Sequence, residues 1–398
     1  MKTVAIISEY NPFHSGHKYQ IEKIREEFGS DTAIVSIMSG NFTQRGEIAF
    51  FSKGSRAKAA VLSGVNLVLE LPFPFSSSSA EIFAKSGVKI AESIGADYLS
   101  FGSESGNLEE LLRVADIMSS DAFCAIFQDL GADKALGYPE RLEMAYERVS
   151  GASFSFSSNN ILAIEYIKAI KSLGASIKPH TIKRMGADYS SESIEKSQNQ
   201  SAMAIRTALS LGDTSALAFL PAETTDLVTK LLEDGELPTD ISKISPAFIA
   251  YLRLNPPSHN EEIHDATDGL YNRLYNESFK ANDISTLLSR TETKNYTRAR
   301  IRRALLNVFF GVTSSEIKTL PLYTQILAVD NVGMQILKKT RKSRTIQILT
   351  KPSDYKSFNE AELRQKTLSD RADSIFELTK PIPKDGASSL TFTPFVKK

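Results

Sequence analysis

Two histidines near the start of the chain have a spacing that suits the binding of phosphate groups. They occur in Asn11-Pro12-Phe13-His14-Ser15-Gly16-His17, directly after a predicted strand, Thr3–Ser8, and at the start of a predicted helix, His17–Phe28. Residues three apart share one side of a helix, and the free N–H groups of a helix start favour an anion. Gly16 would let a ligand approach the backbone closely. Two imidazoles there would stabilise the charge that develops on a nucleotide's α-phosphate during attack.

Two other roles for this histidine pair stay open. The His-x-x-His spacing also suits a metal pair, although no third ligand lies nearby, and the histidines could instead be structural. The chain has one cysteine, Cys124, which excludes an intramolecular disulfide and a cysteine-based zinc site. We expect Cys124 to be buried as a small apolar residue. We favour nucleotide phosphates over a metal, and we predict no resident metal site.

The first 190 residues alternate the patterns of strands and helices. Short apolar runs predict strands at Thr3–Ser8, Thr32–Met38, Val65–Leu71, Asp97–Phe101 and Ser176–Lys183. Helical periodicity predicts helices between them at Lys53–Leu62, Ala80–Ile94, Asn107–Met118 and Ser157–Leu173. This alternation predicts an α/β, Rossmann-like domain with a mostly parallel sheet between layers of helices. Such sheets bind ligands outside the carboxyl ends of their strands, where the strand order reverses.

From about residue 200 the pattern becomes mainly helical. Helices are predicted at Met203–Leu211, Ala222–Leu232, Ala247–Leu254, Tyr271–Lys280, Ile284–Leu288 and Asn295–Gly311. Two candidate strands, Ile326–Val329 and Thr345–Thr350, then flank a helical pattern at Gly333–Lys339, and we expect the tail from Pro381 to be frayed. We therefore predict an α/β domain over residues 1–200, a helical domain over 201–320 and a small mixed segment over 321–398.

The composition is that of a soluble globular protein. Of its 398 residues, 41% are apolar and 24% are charged, and no apolar run approaches the roughly 20 residues that a membrane span needs. The chain starts without the pattern of a signal peptide, so we expect a cytoplasmic protein.

The charges are balanced overall but unevenly distributed. Residues 207–270 carry 11 acidic side chains and three basic ones, whereas residues 290–345 carry 12 basic side chains and three acidic ones. The densest positive segments are Arg298–Arg303 and Lys338–Arg344. A positive field of this kind favours a polyanion, although a solvated helical face would look the same.

Five segments, in order along the chain, resemble the tRNA(Met) cytidine acetate ligase family of the HxGH nucleotidyltransferase superfamily. They are Glu9–His17, Ser39–Glu47, Leu69–Pro72, Phe101–Gly106 and Asn159–Tyr166. The resemblance covers essentially the whole chain and is densest up to about residue 206. It implies an enzyme that converts acetate and ATP to acetyl-adenylate and pyrophosphate. The acetyl group then passes to N4 of the wobble cytidine of elongator tRNA(Met), giving N4-acetylcytidine.

The resemblance also implies which residues form the site. His14 and His17 would be catalytic, with Mg²⁺ on the nucleotide's phosphates. ATP would be bound by Ile7, Ser8, Glu9, Tyr10, Asn11, Pro12, Phe13, His14, Ser15, Gly16, His17, Lys18, Tyr19, Gln20, Gly102, Asn159 and Arg184. Ser201 and Arg206 loosely match the superfamily's second signature, with Met203 where a hydroxyl residue is expected, and are candidates for phosphate contacts.

Several polar and charged residues are not assigned a single role by the sequence. Gln44, Arg45, Lys53 and Arg56 would hold acetate, pyrophosphate or RNA, or be plain surface groups, and Glu104 would serve the site or cap the following helix. The basic region 290–345 would hold the tRNA through Arg298, Arg300, Arg302, Arg303, Lys338 and Lys339. Two other functions remain open: a ligase or adenylyltransferase for another small molecule, and a non-catalytic nucleotide- or RNA-binding adaptor.

Overall fold

A mostly parallel sheet forms the centre of the computed structural model, which describes residues 1–131, 136–184, 201–257, 262–389 and 392–397. Its strands are β1 (Thr3–Ser8), β2 (Ala33–Ser39), β3 (Leu67–Leu71), β4 (Tyr98–Ser103), β5 (Lys178–Lys183), β6 (Tyr323–Val329), β7 (Gln347–Leu349) and β8 (Phe395–Val396). They follow the order β5-β4-β1-β2-β3-β6-β7, and β8 pairs with β6. Strands β1 to β5 are parallel to one another, which confirms the predicted fold class.

Helices cover the sheet and build the rest of the chain. They are α1 (Ser15–Phe28), α2 (Lys53–Leu62), α3 (Ala80–Ser93), α4 (Leu108–Met118), α5 (Asp121–Leu130), α6 (Tyr138–Ser150), α7 (Ser158–Ser172), α8 (Ala202–Ser210), α9 (Ala222–Glu233), α10 (Ser245–Leu254), α11 (Leu270–Ser278), α12 (Ile284–Thr291), α13 (Arg298–Phe310), α14 (Ser314–Lys318), α15 (Asn331–Lys339) and α16 (Glu360–Glu377). In the parts of the chain that the structure describes, no helix is both long and apolar enough to cross a membrane.

The two faces of the sheet bury alternate residues of its strands. On β2, Ile34 and Met38 pack with Ile21 and Ile24 of α1 on one face. Val35 and Ile37 belong to the larger core on the other face, which also contains residues of α3, α4 and α7. This alternation follows from the two-residue period of a strand, and burial on both faces explains why the parallel strands are continuous apolar runs.

The sheet extends beyond the first 200 residues. β6 pairs antiparallel with β3, and β7 and β8 lie parallel to β6, so the segment over 321–398 adds its strands to the sheet of the N-terminal part. The larger core likewise continues into α10, α13 and α16. The expectation of a frayed tail was wrong for residues 392–397, because Phe392 packs near Lys53 and β8 pairs with β6.

Four of the described helices, α5, α6, α14 and α16, lie where the sequence patterns indicate none. α5 and α6 fill the connection between α4 and α7, and Cys124 on α5 is exposed rather than buried as expected. The sequence pattern does not predict α16, because its buried side includes polar residues. Examples are Lys366 and Asp373, which form ion pairs inside the protein. A pattern search that counts only apolar residues does not detect such a helix.

Candidate active site

A cavity of about 430 Å³ opens at the carboxyl ends of β1 and β4. These strands are neighbours, and the chain continues from β1 to β2 on one side and from β4 to β5 on the other, so the cavity lies where the strand order reverses. The residues predicted to bind ATP or its phosphates that line it are Ile7, Ser8, Glu9, Tyr10, Asn11, His14, His17, Gln20, Gly102, Asn159, Arg184, Ser201 and Arg206. Residues far apart in the sequence therefore converge on one site.

The two histidines cap the first helix with one nitrogen each. Nδ1 of His14 accepts the Gly16 N–H at 3.1 Å, and Nδ1 of His17 accepts the His14 N–H at 3.2 Å. The rings lie against each other with their centroids 3.9 Å apart. Since Nδ1 is an acceptor in both rings, the proton of each neutral imidazole is on Nε2, and that N–H is the group available to a ligand.

The surroundings keep both rings neutral. Burial, together with Arg184 and Arg206, lowers the pKa of His14 to about 3. Burial, His14 and Arg184 hold the pKa of His17 well below its usual value. Near neutral pH the pair therefore presents two uncharged N–H donors, a suitable arrangement for an oxygen that becomes more negative during a reaction.

Gly16 serves the helix cap rather than a ligand. A Cβ at this position would lie 2.9 Å from Cε1 of His14, so only glycine leaves room for that ring. Its N–H is taken by His14 and is not free for an anion, contrary to the expectation from sequence. Other segment residues that do not line the cavity are Pro12, Phe13, Ser15, Lys18 and Tyr19. Phe13 is buried in the core, and the Ser15 hydroxyl donates to the carbonyl of Phe219.

Comparisons with known proteins find relatives that match nearly the whole chain. The family model described as HIGH Nucleotidyl Transferase matches residues 1–388. The tRNA(Met) cytidine acetate ligase of Caldanaerobacter subterraneus subsp. tengcongensis is 37% identical over 368 residues, which is 90% of each chain. That of Acetivibrio thermocellus is 34% identical over 384 residues, or 92% of each chain.

This chain belongs to the tRNA(Met) cytidine acetate ligase family of the HIGH nucleotidyltransferases.

Solved structures of a relative have the same architecture. The apo crystal structure of Thermotoga maritima TmcAL superposes with a TM-score of 0.92 at 28% identity, covering 100% of this chain and 99% of that one. The crystal structure of TmcAL bound with alpha-thio ATP has a TM-score of 0.89 with the same identity and coverage. The family resemblance expected from five sequence segments is therefore confirmed over the whole chain.

The second family signature also reaches the cavity in this member of the family. Ser201 begins α8 by accepting the Ala204 N–H on its Oγ at 3.1 Å. One turn later, Arg206 donates to the carbonyl of Asn11 at 2.8 Å and lies 3.8 Å from the Glu47 carboxylate. Arg206 thus ties α8 to the histidine segment and is also a lining residue of the cavity.

One wall of the cavity is apolar, and sequence reasoning did not identify it. Its residues are Ala80, Phe83, Phe101, Tyr138, Ile161, Leu162 and Tyr166. The periodicity of Ser157–Leu173 predicts the helix that holds several of them, but an apolar residue carries no sign of whether it faces a core or a cavity. Glu9 lies at the same cavity, where burial raises the pKa of its carboxyl even though the Gln44 N–H donates to Oε1 at 2.9 Å.

Lys53 and Arg56 do not reach the cavity, unlike Gln44 and Arg45. Arg56 is buried and donates to four backbone carbonyls: Phe51, Glu9, Ser39 and Gly40. Lys53 contacts Glu70 at 2.8 Å and Asp373 at 2.5 Å. Both basic residues therefore hold the framework behind the strand ends, so the ligand roles considered for them were wrong.

The four arginines predicted to bind tRNA are paired with carboxylates. Arg298 pairs with Glu292 at 3.7 Å and Arg300 with Asp268 at 2.9 Å. Arg302 pairs with Glu47 at 2.5 Å and Arg303 with Asp265 at 2.6 Å. Only Arg303 of the four lines the cavity. These pairs account for part of the positive charge seen in the sequence.

The two lysines predicted to bind tRNA lie near the amino ends of the parallel strands, opposite the cavity. Lys338 and Lys339 are exposed at the end of α15. The N–H of Asp330, which caps α15, donates to Asn66 just before β3, and Thr340 lies against Gly95 just before β4. α15 therefore crosses the amino ends of the parallel strands, about 20 Å from the cavity for a six-residue strand such as β4. The structure does not bring the arginines and lysines together.

Proposed function

We propose that this chain forms acetyl-adenylate from ATP and acetate and transfers the acetyl group to N4 of the wobble cytidine of elongator tRNA(Met). The name of the relatives supplies the tRNA, the cytidine and acetate, and a relative of the same architecture binds an ATP analogue. The observation that carries the proposal is the pair of neutral imidazoles, His14 and His17, whose Nε2–H groups remain available in a cavity at the strand ends.

The first half-reaction turns a poor electrophile into a reactive one. Attack on acetate itself would have to expel oxide, whereas the mixed anhydride with AMP has a good leaving group. An oxygen of acetate attacks the α-phosphorus and pyrophosphate leaves. The two Nε2–H donors would stabilise the charge that builds on the α-phosphate oxygens, and Arg206 would add a positive charge.

Mg²⁺ fits this site as a predicted companion of ATP. Glu9 supplies one carboxylate in the cavity, and carboxylate and phosphate oxygens are the ligands that Mg²⁺ prefers. When bound, Mg²⁺ would neutralise charge on the β- and γ-phosphates.

The second half-reaction needs an unstacked base close to the anhydride. The N4 amine of cytidine is a weak nucleophile and attacks the acetyl carbon, with AMP as the leaving group. A wobble base lies in a single-stranded loop and can turn out at modest cost. The apolar wall formed by residues such as Phe83, Leu162 and Tyr166 would limit the water that competes for the anhydride.

The proposal also includes a cytoplasmic location and a tRNA-binding surface made of basic residues. Phosphates can displace the carboxylates from Arg298 and Arg300, whose pairs are partly exposed. Lys338 and Lys339 are exposed and have no ion-pair partner among the described residues, so they are open to the RNA backbone at a distance from the cavity.

The test is to incubate the protein with ATP, labelled acetate and total tRNA and to analyse the nucleosides of the recovered tRNA. We expect labelled N4-acetylcytidine that depends on ATP and is confined to elongator tRNA(Met). Pyrophosphate–ATP exchange measures the first step alone, and it should require acetate but not tRNA.

Other results would identify a different function. Exchange that responds to another small acid and yields no labelled tRNA would indicate a small-molecule ligase. The absence of any exchange would indicate a non-catalytic nucleotide-binding protein. Undiminished exchange in a protein with both His14→Asn and His17→Asn would show that the histidines do not act on the phosphates.

A further inference from the structure

The side chain of Asn159, which lines the cavity, is hydrogen-bonded to the carboxylate of Glu104. Nδ2 of Asn159 donates to Oε1 of Glu104 at 2.7 Å. An ionised carboxylate is only an acceptor, so it can receive the NH₂ group of the amide and not its oxygen. The amide of Asn159 is therefore turned so that Oδ1 points away from Glu104. Asn159 lines the cavity and Glu104 does not. With Nδ2 held by Glu104, the amide has Oδ1 left as its acceptor for a bound ligand.

The surrounding contacts hold Glu104 in place. Its backbone N–H donates to Oδ1 of Asn160 at 3.1 Å, and Nδ2 of Asn160 donates to the carbonyl of Ser155 at 3.0 Å. Asn160 is almost fully buried. The adjacent residues Asn159 and Asn160 thus tie the end of β4 to the start of α7 from two sides. This arrangement also sets a carboxylate near a helix N-terminus, where it is favoured.

The other oxygen of Glu104 is without a hydrogen-bond partner in the part of the chain that the structure describes. Oε2 is buried and makes no hydrogen bond among the described residues. A buried acceptor without a partner costs free energy, and a residue needed only for packing would not require a carboxylate here. The carboxylate is accounted for if its task is to receive the NH₂ group of Asn159.

The part of the cavity around Asn159 suits a nucleoside. Ile161, Leu162 and Tyr166 follow Asn159 on α7 and contribute an apolar surface, and Gly102 lies at the nearby end of β4. An apolar wall with a few aimed polar atoms is the usual lining of a small-molecule site. The acceptor at Oδ1 selects for a ligand that carries a hydrogen-bond donor at this point.

We propose that Glu104 is a positioning residue that presents Asn159 Oδ1 as a hydrogen-bond acceptor to the nucleoside part of ATP. The matching donor is the exocyclic amino group of adenine or the 2′-hydroxyl of the ribose. The inference rests on the proposed use of ATP and adds a reason why the cavity discriminates among nucleotides. A site that binds a donor through a buried acceptor rejects analogues that lack the donor, because the acceptor is then left unpaired.

The test measures kcat and KM of acetate-dependent pyrophosphate exchange with three nucleotides. They are ATP, purine riboside triphosphate, which lacks the 6-amino group, and 2′-deoxy-ATP. In Glu104→Gln the side chain at 104 can donate as well as accept, so the Asn159 amide is free to turn. We expect KM for ATP to rise about tenfold with little change in kcat, and the preference for ATP over one analogue to shrink by a similar factor. Loss of preference over purine riboside triphosphate identifies the amino group as the donor, and loss over 2′-deoxy-ATP identifies the 2′-hydroxyl.

Two further variants separate positioning from a general structural effect. Glu109→Gln removes an exposed carboxylate on the first turn of α4 and should leave every ratio unchanged. In an Asn159→Ala background the acceptor is already absent, so Glu104→Gln should cause no further loss of discrimination. An equal loss with all three nucleotides in Glu104→Gln, or unchanged ratios, would overturn the inference.

Failure of the proposed function is distinguishable from failure of this inference. A wild-type protein without acetate-dependent exchange contradicts the proposed function. Calorimetric titration of ATP and the two analogues still tests Glu104, because binding preferences do not need catalysis. Equal affinities of wild type for all three nucleotides would contradict the role of Asn159 and hence that of Glu104.

Discussion

Two sets of polar residues near the carboxyl ends of the parallel strands use their hydrogen-bonding atoms differently. The buried charge cluster of Lys53, Glu70 and Asp373 lies behind the ends of β2 and β3, and its charged atoms pair with one another. Asn41 also donates to the remaining oxygen of Asp373 at 2.8 Å. His14 and His17 each use one ring nitrogen for the helix cap and keep the other for the cavity.

The comparison shows how polar residues that support the framework differ from polar residues that are available to a ligand. Burial alone would lower the pKa of Lys53, but Asp373 and Glu70 outweigh it and raise the pKa, so the lysine stays charged. For the histidines, burial dominates and the rings stay neutral. A charge that is matched inside the protein holds elements together, whereas an unmatched donor that faces a cavity is available to a ligand.

The largest expected effect comes from breaking the charge cluster. Lys53→Met leaves two buried carboxylates without a cation, so the free energy of unfolding should fall by about 3–5 kcal/mol in urea titrations. Lys85→Met is the matched control, since Lys85 pairs with Glu81 in an exposed i,i+4 pair and should cost less than about 1 kcal/mol. An equal free energy of unfolding for the two variants would show that the cluster does not stabilise the fold.

The next effect separates the helix-capping role of His14 from its proposed catalytic role. In His14→Asn, the amide oxygen can still accept the Gly16 N–H, but the donor on Nε2 is lost. We expect unfolding free energy within about 1 kcal/mol of wild type. Acetate-dependent exchange should fall by about 10² to 10³, which is the usual effect of removing one donor to a developing negative charge. Normal exchange in a folded His14→Asn protein would contradict the role given to Nε2.

The neutral state of the histidines predicts a pH dependence of stability. The folded protein keeps the pKa of His14 at about 3, whereas an unfolded histidine titrates near 6.5, so the unfolded state binds more protons between these values. The unfolding free energy should therefore fall as the pH drops below about 6.5. The contribution of His14 is roughly 2 kcal/mol at pH 5. Urea titrations at pH 7.5 and pH 5 should show a smaller drop for His14→Asn than for wild type, and an equal drop would contradict the burial of a neutral ring.

The smallest effect concerns two lysines that belong neither to the buried charge cluster nor to the histidine pair. Replacing Lys338 and Lys339 together with Gln should weaken tRNA binding a few-fold and lower the slope of affinity against salt by about 2, without changing pyrophosphate exchange. Lys230→Gln with Lys280→Gln removes two exposed lysines elsewhere and serves as the control. An unchanged salt slope would remove α15 from the proposed tRNA surface.

Much of the fold could be predicted because local patterns dominate it. The β-branched run Thr3–Ser8 forms β1 with the predicted bounds, and helical periodicity identifies most of the elements around the cavity. α16 could not be predicted in this way, because its buried side is held by ion pairs and hydrogen bonds rather than by an apolar stripe alone. Its partners, such as Lys53, lie more than 300 residues away in the sequence.

The candidate site was predictable where the residues are adjacent in the sequence and much less so elsewhere. His14 and His17 are recognisable from their spacing, and Ser201 from its place before a helix. The pairing of Asp265 and Asp268 with Arg303 and Arg300 was not predictable, because a sequence reports charge but not which opposite charge will lie next to it.

The sequence by itself determined the α/β pattern, the histidine pair at the start of α1 and the family to which the chain belongs, since each of these depends on neighbouring residues. The tertiary structure alone decided which basic residues are buried, which nitrogen of each histidine is free and which way the Asn159 amide points. Those properties depend on contacts between distant segments, where burial and the nearest partner set both the charge and the direction of a polar group.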